Sequence, residues 1–427
     1  MSDAHAARCL ISACLQRGIR EFVLCGGARN AALIALLAEL EGELDIRLWR
    51  HFEERSAGFF ALGRCMATAE ACAVITTSGT AAAELLPAVI EAHYQHRPLL
   101  LITADRPATF RDSGAPQCID QNQLFGRYAP MGELAAWTGV QPWHVNIELE
   151  ETLPAASAWT EPPVLGEWRV PVPRLNVAAL SRWLHTGQMQ GLVVILGGLE
   201  PEEREEVWHF LRELRAPVVA EACSGMREAM SDLHLIDADR LLRDEPPGKI
   251  LRLGDVPSGR FWRDLENLPQ TEVWSICRNG LPGLARESGV VQGEVHRVLQ
   301  ALGQSPRWDD RHEYRRKSLS RAARLDDLLE AFPESEPALV RTISLYASLG
   351  QCLFLGNSLP IREWDAFAQW QRAITEVRAN RGANGIDGQI STWLGWSAAT
   401  TQAWCLVGDL TALYDLAAPF MLEQIDS

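Results

Sequence analysis

Residues 51–63 read HFEERSAGFFALG, residues 71–94 read ACAVITTSGTAAAELLPAVIEAHY and residues 97–107 read RPLLLITADRP. The carboxylate pair Glu53-Glu54 opens an apolar run where a helix is expected to start. The compact apolar stretch 73–77 reads as a strand running into Ser78-Gly79-Thr80 and a small-residue helix, and 99–103 reads as the next strand. Strand, tight turn, helix, strand is a βαβ pattern. It brings the turns together at the carboxyl edge of a parallel sheet, where ligands of open α/β sheets bind.

The same alternation extends in both directions. Toward the amino terminus, a helix is expected over 6–16, a strand over 21–25 and a helix running to about residue 40, followed by a strand over 45–49. The turn Gly26-Gly27-Ala28-Arg29-Asn30 could let backbone N–H groups approach an anion with Arg29 beside them, or could simply turn the chain. Toward the carboxyl terminus, the polar stretch 111–121 (RDSGAPQCIDQ) is expected to form a loop over that edge, and 143–149 a last strand. Pro154, Pro162, Pro163, Pro171 and Pro173 mark a linker.

Further strands are expected over 192–196, 216–221, 250–253 and 272–277, with a helix over 202–214. This second α/β unit lacks a GxGxxG fingerprint and is read as a Rossmann-like core without its own nucleotide. The charge-dense run 306–317 (PRWDDRHEYRRK) is taken as a second boundary. A third unit follows, with helices over 318–332 and 337–349 and strands over 351–356, 373–377 and 403–407. The expected organisation is thus α/β with three Rossmann-like domains on parallel sheets: 1–170, 185–303 and 318–427.

At 427 residues the chain is too long for one ordinary core, and 47% apolar with 22% charged residues is the composition of a soluble globular protein. No stretch offers the roughly 20 apolar residues of a bilayer span, and the first residues lack the pattern of a secretory signal, so a cytoplasmic location is expected. The ten cysteines, Cys9, Cys14, Cys25, Cys65 and Cys72 among them, show neither CxxC pairs nor histidines at ligand spacing, which argues against a disulfide frame or a zinc site. With 40 basic against 55 acidic residues the formal charge is −15, a field that disfavours nucleic acid and anionic membranes. An anionic substrate would need arginines gathered locally in a cleft.

Six motifs occur in order: HFEERSAGFFALG, TSGTAAAELLPAVIEA, TADRP, FLGNSLPIR, NRGANGIDG and VGDLTALYDL. Together they resemble the 2-succinyl-5-enolpyruvyl-6-hydroxy-3-cyclohexene-1-carboxylate synthases of menaquinone biosynthesis, a branch of the thiamine diphosphate-dependent enzymes. The resemblance implies a transferase that decarboxylates 2-oxoglutarate on thiamine diphosphate and adds the succinyl unit to isochorismate. It implies a pyrimidine-binding first domain, a cofactor-free middle domain and a diphosphate-binding third domain. The site is expected between subunits of a homodimer or homotetramer.

Residue by residue, the resemblance makes Glu54 the catalytic carboxylate against the cofactor's pyrimidine. Thr77, Gly79 and Gly408 fall on cofactor positions. Arg29, Arg106, Gln117, Arg260, Ser358, Arg362 and Arg381 fall on substrate positions, and Asp409 on a ligand of Mg²⁺ or Mn²⁺. Ala28 stands where the family has serine, Glu53 where it often has aspartate, Arg260 where it has lysine and Ala417 where it has asparagine; Pro419 should end or kink the last helix. The chain after Asp409 has room for one helix but not for the strand and Asn-rich turn of the family's second metal ligand. The third sheet is therefore expected to be incomplete and the chain truncated. Two other readings are another thiamine diphosphate-dependent 2-oxo acid decarboxylase or ligase, such as an acetolactate synthase relative, and a catalytically impaired scaffold of the same fold.

Overall fold

The structure is a computed structural model that describes residues 3–150, 159, 161–187, 191–230, 232–236, 238–308 and 312–425. Pro154 and residues 309–311 of the charged run lie outside the described residues. The chain divides into two compact units: Met1–Val172 with Gly382–Thr401 and Asp409–Ser427, and Pro173–Arg381 with Gln402–Gly408.

The first unit holds a five-stranded sheet of β1 (Glu21–Cys25), β2 (Arg47–His51), β3 (Cys72–Thr76), β4 (Leu99–Asp105) and β5 (Trp143–Glu148), in the order β2-β1-β3-β4-β5. Every pairing is parallel. All residues of β3 and β4 are buried, as expected when helices cover both faces of a parallel sheet. The second strand lies two residues later than the sequence suggests. The pairing Glu21↔Arg47 through Cys25↔His51 sets its register, and Asp45 is instead held outside by an exposed ion pair to Arg20 at 3.0 Å.

The helix Glu54–Thr68 follows β2 and is buried on all sides from Ser56 to Met66, because the helix Gln389–Trp396 crosses it closely. A Cβ at Gly63 would lie 2.1 Å from the Thr392 carbonyl oxygen, and one at Gly395 would lie 2.1 Å from that of Phe60. Asp415 ties the crossing: its carboxylate accepts from Ser56 Oγ at 3.1 Å, Ser391 N at 2.7 Å and Ser391 Oγ at 2.8 Å. The first turn of the Glu54 helix is thereby held on a rigid support. Pro419 does not break the helix Asp409–Tyr414, which has already ended; it opens the 3₁₀ segment Ala418–Gln424.

The second unit contains a five-stranded parallel sheet of β6 (Leu192–Leu196), β7 (Val218–Ala220), β8 (Lys249–Leu253), β9 (Glu272–Cys277) and β10 (Gly289–Gln292), ordered β10-β9-β8-β6-β7. It also contains a smaller parallel sheet of β11 (Cys352–Leu355), β12 (Glu376–Arg378) and β13 (Ala403–Leu406), ordered β12-β11-β13. The edge strand β10 carried no clear sequence signal. The strand expected over 373–377 begins late because the Gln369 side chain accepts from the backbone N–H of Gln371 and Arg372, at 2.6 and 2.9 Å, and holds them in a turn. Much of the charged run is helix, His312–Ala331, rather than linker. Lys317 pairs there with Glu245, and Ser318 Oγ bonds Ile236.

The fold class is therefore α/β on parallel-only sheets, the third the smallest. Among the described residues no helix is long and apolar enough to cross a membrane.

Candidate active site

Because the first sheet is parallel, the segments after β1, β2, β3 and β4 all emerge at one edge. They are the Gly26-Gly27 turn with Arg29, the Glu53-Glu54 helix start, Thr77 to Gly79, and Asp105-Arg106. The turns touch: a Cβ on Gly27 would come within 2.5 Å of Thr77 Cβ, and one on Gly79, whose φ is +86°, within 3.1 Å of Gln117 Cα. Glycine at 79 is thus required both by its backbone angle and by the chain lying over it.

The adjacent glutamates have separate roles. Glu53 is the N-cap: its carboxylate accepts from Arg55 N at 3.1 Å and Ser56 N at 2.9 Å, satisfying two orphan donors of the first turn. Its own N–H donates to His51 Nδ1 at 3.0 Å. With the cap filled, Glu54 is not needed for it. Glu54 is half-buried, and burial pushes its carboxyl above the usual range; the nearby charges of Glu53 and Glu84 push the same way, while its own backbone N–H opposes them. Such a carboxyl keeps its proton to higher pH than a surface glutamate does. It can share that proton with a weakly basic nitrogen in a ligand.

Arg29 is buried, and its Nη1 donates to the Leu149 carbonyl at 2.9 Å at the end of β5. Arg106 lies over the Phe110 ring, 5.4 Å from the centroid. Gln117 is exposed and has a φ of +53°, so its backbone is held in a left-handed turn against Gly79. The sequence reading missed the buried amides behind this turn. Gly79 N donates to Gln121 Oε1 at 2.8 Å, Gln121 Nε2 donates to Asn146 Oδ1 at 2.8 Å, and Asn146 Nδ2 donates to Asp105 Oδ2 at 2.9 Å. The available signal was Gln121 itself, a polar residue closing a loop next to an apolar run.

In the second unit, Ser358 has a φ of +72° just after β11, and its carbonyl accepts from Arg362 Nε at 2.6 Å. Arg381 donates from Nη1 to Asn357 Oδ1 at 3.2 Å and from Nη2 to the Val256 carbonyl at 3.4 Å. Asn357, inside the quoted motif but not singled out, also bonds the Asn380 carbonyl at 2.8 Å and so links the turns after β11 and β12. Arg260 opens the short helix Arg260–Asp264, with its side chain exposed 3.8 Å from Asp264. Gly408 is half-buried and lies two residues after the end of β13.

Asp409 is exposed, and its Oδ1 accepts from Leu410 N at 2.8 Å. Among the described residues no three His, Cys, Asp or Glu side chains gather as a metal cluster. A single carboxylate suits a Mg²⁺ ion that takes its other oxygens from phosphate and water, but not one caged by protein. At the edge of the first sheet, Glu54 offers a half-buried carboxyl whose titration burial displaces upward, beside a turn that only glycine can make.

Residues 4–124 match the family described as "Thiamine pyrophosphate enzyme, N-terminal TPP binding domain". Three relatives carry the name 2-succinyl-5-enolpyruvyl-6-hydroxy-3-cyclohexene-1-carboxylate synthase. The Akkermansia muciniphila protein is 49% identical over 442 residues, covering 100% of this chain and 81% of that one. The Bdellovibrio bacteriovorus protein is 37% identical, covering 100% and 84%. The Geobacillus thermodenitrificans protein is 32% identical, covering 94% and 76%. Fold, edge and matches define a thiamine diphosphate-dependent enzyme. Within that class the chain belongs to the 2-succinyl-5-enolpyruvyl-6-hydroxy-3-cyclohexene-1-carboxylate synthase family, enzymes of menaquinone biosynthesis that form a carbon–carbon bond.

Proposed function

We propose that this chain releases CO₂ from 2-oxoglutarate and adds the remaining succinyl semialdehyde unit to isochorismate by conjugate addition, giving the product for which the family is named. The C1–C2 bond of the oxo acid breaks, and a new bond forms to the isochorismate ring. Thiamine diphosphate, when bound, supplies the carbanion chemistry. The observation that carries the reading is Glu54: half-buried, its titration displaced upward by burial, on a rigid helix start at the edge where the glycine turns meet.

Glu54 holds and shares a proton at the pyrimidine end, with Thr77 and Gly79 forming the turn beside it. Gly408 and Asp409 serve the diphosphate end, Asp409 giving one oxygen to Mg²⁺ or Mn²⁺. Arg29, Arg106, Gln117, Arg260, Ser358, Arg362 and Arg381 receive the two dicarboxylates. Guanidinium forks suit carboxylates, and an acidic chain of charge −15 needs local cations for such ligands. In this reading residues 1–170 carry the pyrimidine end, 185–303 form a cofactor-free core and 318–427 carry the diphosphate end of a cytoplasmic homodimer or homotetramer.

The test offers purified protein, thiamine diphosphate and Mg²⁺ with 2-oxoglutarate, then with either isochorismate or pyruvate as the second substrate. CO₂ release coupled to consumption of isochorismate is the expected result. Coupling to pyruvate instead would identify an acetolactate synthase-like enzyme and overturn the proposal.

A further inference from the structure

The second unit buries two carboxylates that the proposed reaction does not use. Glu221, after β7, accepts from Ser258 N, from Ser258 Oγ at 2.7 Å and from Gly259 N at 3.2 Å. The same Ser258 Oγ lies 3.2 Å from Asp365 Oδ2, while Asp365 Oδ1 accepts from Ala222 N at 2.6 Å. A hydroxyl has one proton and cannot donate to both acids. The arrangement closes only if one acid carries a proton and donates it to Ser258 Oγ, which then donates to the other. Burial pushes both carboxyls up, but Glu221 has three donors and the positive charge of Arg381 nearby, whereas Asp365 has a single backbone donor, so the proton belongs on Asp365.

The chain of bonds has a purpose beyond satisfying itself. It fixes Ser258 and Gly259, and the Val256 carbonyl two residues before Ser258 is one of the two groups that accept from the Arg381 guanidinium. We infer that Asp365, Ser258 and Glu221 form a proton-bearing relay that positions Arg381 for an anionic ligand, a role resting on the substrate-binding reading of Arg381.

The charged and titratable groups facing the pair agree with this assignment. Arg227 donates to the Asp365 carbonyl at 3.5 Å and to the Ala368 and Gln369 carbonyls, both at 2.9 Å, and pairs with Glu228 at 2.8 Å. It lowers Asp365 only in part. Cys223 is buried beside both acids and Asp255 and stays a thiol. Glu363 and Arg362 lie on the same helix as Asp365, and Arg341 faces Arg227. Burial first, then the Glu221 charge, pushes Asp365 up to about 8. Below that pH the relay is complete; above it, Asp365 loses the proton it donates.

Two readouts separate the relay from the function on which it rests. Infrared difference spectra over pH 6–10 should show a buried protonated carboxyl band that disappears with a midpoint near 8 in the wild-type protein and is missing in Asp365→Asn. Calorimetric titration with 2-oxoglutarate, thiamine diphosphate present, should show binding about tenfold weaker above the midpoint, the loss of roughly one hydrogen bond's support. In Asp365→Asn, whose amide still donates to Ser258, binding should be unaffected by pH across that range. Ser258→Ala, which removes the bridge, should bind about tenfold more weakly at every pH. A band that persists in Asp365→Asn, or wild-type pH dependence in that variant, overturns the relay. Absence of any 2-oxoglutarate binding with the band behaving as described overturns the substrate reading of Arg381 and with it the relay's purpose, leaving only the proton's location standing.

Discussion

Two Gly-Gly turns follow buried parallel strands in this molecule, and they have opposite fates. After β1, a Cβ at Gly26 would have nothing within 4 Å, while one at Gly27 would meet the Thr77 side chain at 2.5 Å. After β6, a Cβ at Gly197 would lie 2.1 Å from the Asp255 carbonyl oxygen and one at Gly198 2.5 Å from Asp255 Oδ2. The second turn is stitched shut: Asp255 N donates to the Gly198 carbonyl at 3.1 Å and Leu199 N to that of Cys223 at 3.3 Å. Charges around that edge pair among themselves, with Arg278 set among Glu200, Glu202 and Glu203 and Arg378 paired to Glu200 at 2.7 Å. The same dipeptide on the same architecture leaves its first glycine uncovered after β1, whereas after β6 a neighbouring turn fills the space over both.

The largest expected effect lies at the open edge. Glu54→Gln keeps the shape and removes the shared proton, so turnover should fall roughly a thousandfold, within the usual range for losing a general acid–base group. Circular dichroism and the unfolding midpoint should be retained. Wild-type turnover in this variant would take Glu54 out of the mechanism and leave the open turn without its chemistry.

Next come the glycines. Gly197→Ala drives a methyl into backbone that cannot give way and should cost about 3 kcal/mol in denaturant unfolding, with little change in turnover of the folded fraction. Gly26→Ala should change stability by less than about 0.5 kcal/mol yet weaken thiamine diphosphate binding in calorimetry. If both alanines cost the same stability, or neither affects the cofactor, the contrast between the two turns is false.

These two turns also show how much the sequence could convey. The βαβ rhythm over 51–107, the parallel sheets and the carboxyl edge were legible because buried strands such as β4 open on apolar runs. The identity of Glu54 as the special member of its pair came from motif order, since two successive glutamates give no periodic signal. In the structure Glu53 takes the cap, leaving Glu54 outside it. What stayed illegible depended on long-range partners. Gln121 behind Gly79, the Asp255 turn plugging Gly197 and the Ser258 bridge between Glu221 and Asp365 join residues tens of positions apart. The register of β2 was misplaced by two residues because its place is set by pairing with β1, not by local propensity.

A smaller effect separates the two glutamates. Glu53→Ala removes the side chain that accepts from Arg55 and Ser56 N–H, and should cost about 1 kcal/mol of stability, the ordinary value for an N-cap. Turnover should fall far less than in Glu54→Gln. Equal loss of turnover in the two variants would mean that the helix start acts as a unit, and that capping and chemistry are not divided between neighbours.

The smallest expected effect is thermodynamic and runs opposite to the catalytic one. Glu54 titrates above its unfolded value, so between the two values the folded protein binds more protons than the unfolded chain. Stability therefore declines as pH rises through that window, and above it the ionised Glu54 is a cost to the fold. Glu54→Gln lacks this cost. Its melting temperature should equal that of wild type at the acid end of the accessible range and exceed it by less than about one degree, on the order of a few tenths of a kcal/mol, at pH 7.5. Partial exposure of Glu54 keeps the gap small. A variant that melts below wild type at pH 7.5, with the difference closing toward acid, would place the carboxyl's titration below the usual range, as for a salt-bridged surface glutamate. The open edge would then differ from the plugged one in space alone, and not in the chemistry proposed for it.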